Sequence, residues 1–93
     1  MDFLTLVHEV GKLAKPMHQD KLEKPDWDTP LNEIGFDSLD MLMVNVYMCD
    51  IYGVSDEIGK TMQVKTATEL KAFLDQHKTR EPQSVEEAIE RVK

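Results

Sequence analysis

The chain has 93 residues, enough for one domain with one modest core and too few for two. It is 41% hydrophobic and 31% charged, an ordinary balance for a globular protein, and no apolar run approaches the roughly 18 residues of a membrane span. The net charge of −7 would repel a nucleic acid, whose phosphate backbone needs lysines and arginines clustered on one face, so no nucleic-acid partner is expected.

The N-terminus M-D-F-L-T-L-V-H-E-V carries an acid where a signal peptide needs basic residues and lacks a cleavage site of small residues, which predicts a cytoplasmic protein. Phe3, Val7, Val10 and Ala14 recur at helical spacing and predict a first helix that Pro16 ends. The stretch from Pro16 to Asp37 holds Pro16, Pro25 and Pro30 among scattered charges and reads as a long loop. Trp27, Leu31, Ile34 and Phe36 are its candidate anchors to the core. Within it, Thr29 as cap and Pro30 at the first helical position predict a short helical turn that Gly35 ends.

A second helix is predicted from Asp37 or Ser38 to about Tyr52, stopped by Gly53. It carries two apolar stripes, Leu39, Leu42, Val46, Cys49 and Met41, Val44, Met48, Ile51, and so small a domain buries only one of them fully. Some of Leu42, Met43, Val46 and Tyr47 are therefore expected on the surface as a docking face, where unbranched methionines suit varied partners. Ser55 or Asp56 caps a short turn over Glu57 to Met62. Thr66 with Glu69 is a capping box for a further helix with Ala67, Leu70, Phe73 and Leu74 on its apolar face, ending near His77. After the polar hinge Arg80 to Gln83, Ser84 and Glu87 offer another capping box, followed by Val85, Ala88, Ile89 and Val92. The hinge has no large apolar residue, so this last helix is expected to attach loosely.

No strand pattern, repeat or glycine-rich loop is present, and the predicted architecture is an all-α bundle. Cys49 is the only cysteine, which excludes an internal disulfide and agrees with a reducing compartment. His8, His18 and His77 share no metal-ligand spacing. Charge is concentrated around Ser38: residues 37–57 hold five acids and no base, whereas residues 58–93 hold six acids against seven bases. Such a field steers a basic protein surface toward it.

The segment L-N-E-I-G-F-D-S-L-D, with an earlier helix about twenty residues before it and an apolar helix starting at the serine, resembles an acyl carrier protein over roughly residues 1–78. The shared features are Asp37-Ser38-Leu39, Gly35 two residues before Asp37, the acid at Asp40, the short turn near Asp56 and the capping box at Thr66. The resemblance implies a four-helix bundle of three longer helices and one short, with a long first loop and, here, an extra short C-terminal helix in an extension over residues 79–93. It implies a 4′-phosphopantetheine arm joined to Ser38 through a phosphodiester by a phosphopantetheinyl transferase, and acyl groups carried as thioesters on the arm's thiol in fatty-acid, lipid or secondary-metabolite biosynthesis. None of the histidines has a motif that would place a base beside the serine, so a monomeric shuttle without catalytic machinery of its own is expected, docking on acyl-loading, elongating or acyltransferase enzymes with basic surfaces. Asp40, Leu42, Met43, Val46, Tyr47 and Asp50 are the candidate partner-binding residues.

Two features depart from the family pattern. Fatty-acid carriers have glutamates along the exposed side of the second helix, whereas this one offers Met43, Asn45 and Cys49 with only Asp40 and Asp50 acidic inside it, and residues 79–93 lie beyond the usual domain end. A specialised carrier is therefore expected. A peptidyl or aminoacyl carrier shares the serine and the fold, and a noncovalent helical interaction module would share the apolar helix but need no modified serine.

Overall fold

The computed structural model describes residues 2–14 and 23–93. Among these, the regular structure is α1 (Phe3–Ala14), a 3-10 turn (Leu31–Glu33), α2 (Ser38–Tyr52), α3 (Asp56–Gly59), α4 (Ala67–His77) and α5 (Val85–Val92), packed as an all-helical bundle. Pro16, the expected stop of α1, and His18 lie outside the described residues.

Each helix starts where a short polar side chain satisfies backbone N–H groups that have no partner inside the helix. The Asp2 carboxylate accepts from Leu4 N–H at 3.0 Å and Thr5 Oγ1 at 2.8 Å. Ser55 caps α3 by accepting from Ile58 N–H, and Ser84 caps α5 by accepting from Glu87 N–H at 3.1 Å. Thr66 and Glu69 form the full reciprocal capping box at α4. α3 is shorter than expected, a single turn over Asp56–Gly59.

The core is built from Leu6, Val7 and Val10 of α1, Val44, Met48 and Ile51 of α2, and Leu70 and Leu74 of α4, all buried. Burying each such side chain contributes about 1.5–3 kcal/mol. Leu6 joins the inner face of α1, and Ala14, expected there, is half-buried. On α4, Phe73 is half-buried, its ring tilted against His77 with centroids 4.7 Å apart.

The loop before α2 is held by side chains and backbone together. Leu31, Ile34 and Phe36 are buried, and Trp27 stacks on Phe3 with ring centroids 5.7 Å apart and planes 8° from parallel. Leu31 N–H donates to Lys65 C=O at 2.8 Å, and Thr68 donates through its N–H and its hydroxyl to Trp27 C=O. The expected Thr29 cap does not form. The 3-10 turn begins at Leu31 without a side-chain cap, because the Thr29 hydroxyl is taken by the Asp26 carboxylate at 2.8 Å. That carboxylate also accepts from the N–H groups of Asp28 and Thr29, so the local turn wins over the helical one. Gly35 then turns the chain into α2 at φ 116°, a conformation a β-carbon disfavours.

The C-terminal segment is not loosely attached. α5 packs on α1 and α2, Ala88 is 1% exposed within the core, and Val85, Ile89 and Val92 lie partly buried against it. The anchor is polar. Gly53 ends α2 at φ 67°, with Gly53 N–H on Asp50 C=O and Val54 N–H on Cys49 C=O, and the terminal carbonyls left over are capped by residues 79 and 80. Thr79 N–H and Arg80 N–H donate to Tyr52 C=O, the Thr79 hydroxyl to Gly53 C=O at 2.7 Å, and the Arg80 guanidinium to the carbonyls of Ile51 and Asp50. Residues 79–93 are therefore held against the bundle by both polar and apolar contacts.

Candidate functional site

Ser38 is the first residue of α2 and is exposed. The cap is its neighbour. The Asp37 carboxylate accepts from Asp40 N–H at 2.9 Å, and the Asp40 carboxylate returns the bond by accepting from Asp37 N–H at 3.1 Å. This box accounts for both acids that flank the serine and leaves the serine unexplained: among the described residues nothing takes up its hydroxyl.

The same geometry corrects one expectation. Asp40 is 6% exposed, the only buried charged side chain of the described core, so it supplies no negative surface for a docking partner. Its work is to close the helix start. The acids that do face solvent near Ser38 are Asp37 and Glu33, and further along lie Asp50, Asp56 and Glu57.

Ser38 opens on a cavity of about 690 Å³ between the 3-10 turn, the start of α2 and the segment before α4. Asp37, Glu33, Met41, Val64 and Lys65 line it with Ser38. Among the described residues, two acids and one base therefore share this lining with the serine, along with half-buried Met41 and Val64.

Along α2 the two apolar stripes part as expected. Val44, Met48 and Ile51 are buried with Met41 partly covered, while Leu39, Leu42 and Val46 are 67%, 58% and 52% exposed. Cys49 leaves the outer stripe and is buried beside Gly59. Its thiol is pushed up from the ordinary thiol range by burial and, secondarily, by the Asp56 carboxylate, so it is a packed side chain and a weak nucleophile. Met43 and Tyr47, counted with the docking face, are half-buried on its flank. Asp50 is exposed and pairs with Arg80 at 3.6 Å. Leu42, Asn45, Val46, Cys49, Gly59 and Lys60 line a second groove of about 440 Å³ between α2 and α3.

His8 and His77 are half-buried. Among the described residues no group of three or more His, Cys, Asp or Glu side chains could hold a metal ion, and no helix is long and apolar enough to cross a membrane. The cavity beside Ser38 and the Arg80 clamp were beyond sequence reasoning, because both depend on contacts between residues about thirty positions apart. No family model, no curated protein and no solved structure matches the chain.

Proposed function

We propose that this chain is an acyl carrier protein whose Ser38 hydroxyl takes a 4′-phosphopantetheine arm. The observation that carries the reading is the division of labour at the start of α2: Asp37 and Asp40 do the capping, and the serine between them stands exposed at a helix N-terminus with its hydroxyl uncommitted. A helix start favours an attached phosphate, because unpaired N–H groups and the helix dipole place partial positive charge there. Space for an arm adjoins the serine in the cavity of about 690 Å³, within the range of about 300–1,000 Å³ typical of small-molecule clefts. Once attached, the arm supplies a thiol that holds an acyl group as a thioester.

Leu39, Leu42 and Val46 form the docking face for the enzymes that load and use the arm, with Met43 and Tyr47 at its edge. With Asp40 withdrawn, electrostatic steering of a basic transferase falls on Asp37, Glu33, Asp56 and Glu57. The apolar character of this face favours a dedicated pathway over a housekeeping one. We place the protein in the cytoplasm as a monomeric shuttle, a setting that suits the free, buried thiol of Cys49.

The exposed apolar face also favours a second reading, a noncovalent interaction module that docks through α2. Intact mass after incubation with coenzyme A and a broad-specificity phosphopantetheinyl transferase separates the two. The carrier reading expects a gain of one phosphopantetheine on the wild type and none on Ser38→Ala. An unmodified wild type overturns it in favour of the interaction module.

A further inference from the structure

The cavity beside Ser38 holds an electrostatic conflict that one residue resolves. A phosphodiester on the serine would bring a negative charge into a groove already lined by the carboxylates of Asp37 and Glu33. Asp37 accepts the Asp40 N–H at 2.9 Å in the capping box, which holds its carboxyl group at the rim of the cavity. Like charges a few ångströms apart repel, and they do so more strongly beside a protein wall than in bulk water. Among the described residues Lys65 is the one cation lining the cavity.

Its position is fixed at the backbone on both sides. Lys65 N–H donates to Glu69 Oε1 at 2.9 Å and its C=O accepts from Leu31 N–H at 2.8 Å, so the root of the side chain is pinned to the cavity wall. Among the described residues its ammonium has no ion-pair partner, whereas Lys71 and Lys78 on α4 and beyond it are both engaged by Asp75. A pinned, exposed lysine that shares a cavity lining with two carboxylates and an available hydroxyl is placed to receive an anion.

Resting on the carrier reading, we propose that Lys65 is a positioning residue for the arm: its ammonium holds the phosphodiester on Ser38 and so lays the first part of the pantetheine chain against Met41 and Val64. The arm then starts from a defined direction rather than from free solution.

The test uses the full chain loaded to completion with coenzyme A and a broad-specificity transferase, completeness being read by intact mass. In the wild type, nuclear Overhauser contacts are expected between the geminal methyls of the arm and the side chains of Met41 and Val64. The ³¹P resonance is expected to move on raising the salt concentration. Lys65→Gln should lose both signals while its amide spectrum elsewhere stays native, and Lys65→Arg should restore them. A loaded wild type without these contacts, or a loaded Lys65→Gln that keeps them, overturns the role of Lys65 and leaves the carrier reading standing. A wild type that gains no mass overturns the carrier reading and this role with it.

Discussion

At the start of α2, adjacent residues do separate jobs, and substitutions tell them apart. Asp37→Ala removes the N-cap and the bond that Asp40 N–H donates, and it should lower stability by about 1 kcal/mol, the usual cost of losing such a cap. Ser38→Ala touches an exposed residue whose hydroxyl no described residue uses, so stability should change by no more than about 0.5 kcal/mol. Urea denaturation of both variants checks the contrast. An equally large loss at Ser38 would mean that its hydroxyl contributes to the cap after all. Asp40→Ala belongs with Asp37→Ala, because its carboxylate is buried and accepts the N–H of residue 37. Residue patterns made part of this visible. D-S-L-D marked a helix start, but the choice of Asp37 over Ser38 as cap depends on backbone geometry, with φ −93° and ψ −176° at Asp37, that the letters do not carry.

Among the elements, α2 was the most legible and its neighbours the least. Two apolar stripes on one helix required that one stay outside, and the chain buries Val44, Met48 and Ile51 while leaving Leu39, Leu42 and Val46 in solvent. Which stripe faces inward is decided by the elements packed on it, α1, α3, α4 and α5 among them, and that choice is not written in α2 itself. The capping box at Thr66 was equally plain, since both partners lie within one turn. Thr29-Pro30 misled because a local competitor, the Asp26 carboxylate three residues earlier, captures the threonine hydroxyl. The exposed stripe gives an element-scale prediction. Leu42→Glu and Val46→Glu should each leave the unfolding free energy from urea denaturation within about 0.5 kcal/mol of wild type, as exposed sites do. Each should also slow arm transfer by a phosphopantetheinyl transferase or weaken docking of an acyl-loading enzyme. Native stability with unchanged transfer and docking would remove this stripe from the docking face; a loss of several kcal/mol would place it in the core.

Across the whole molecule, the tail and the end of α2 form one unit, and its chemistry is testable in two ways. Tyr52 is buried where the clamp meets α2, and its phenol is pushed up to about 12 by burial and then by the carboxylates of Glu81 and Asp75. The folded protein therefore holds a proton that the unfolded chain releases near pH 10, so this stabilisation is complete below pH 10 and is lost as pH rises toward 12. The loss should reach on the order of 2 kcal/mol, and Tyr52→Phe should show a flatter fall in melting temperature between pH 9 and 11.5 than wild type. The second test is removal of residues 79–93. Sequence pattern made this segment a marginal helix on an apolar-poor hinge, and a helix of 8 residues has little stability of its own in water. The structure supplies what the hinge lacks: Thr79 and Arg80 cap the carbonyls of residues 50–53, and Ala88 closes against the core between Val85, Ile89 and Val92. Deletion removes the donors that Thr79 and Arg80 supply to these carbonyls and exposes apolar surface of α1 and α2, so the melting temperature should fall by several degrees. Arg80→Ala should reproduce a smaller share of that loss, about 1–2 kcal/mol, by removing the guanidinium bonds alone. Hydrogen exchange locates the effect: amides of α5 should be protected in the intact chain, and those at the end of α2 should exchange faster in both variants. A truncated chain with an unchanged melting temperature, or α5 amides exchanging at the rate of free peptide, would show that the segment rests on the bundle without stabilising it.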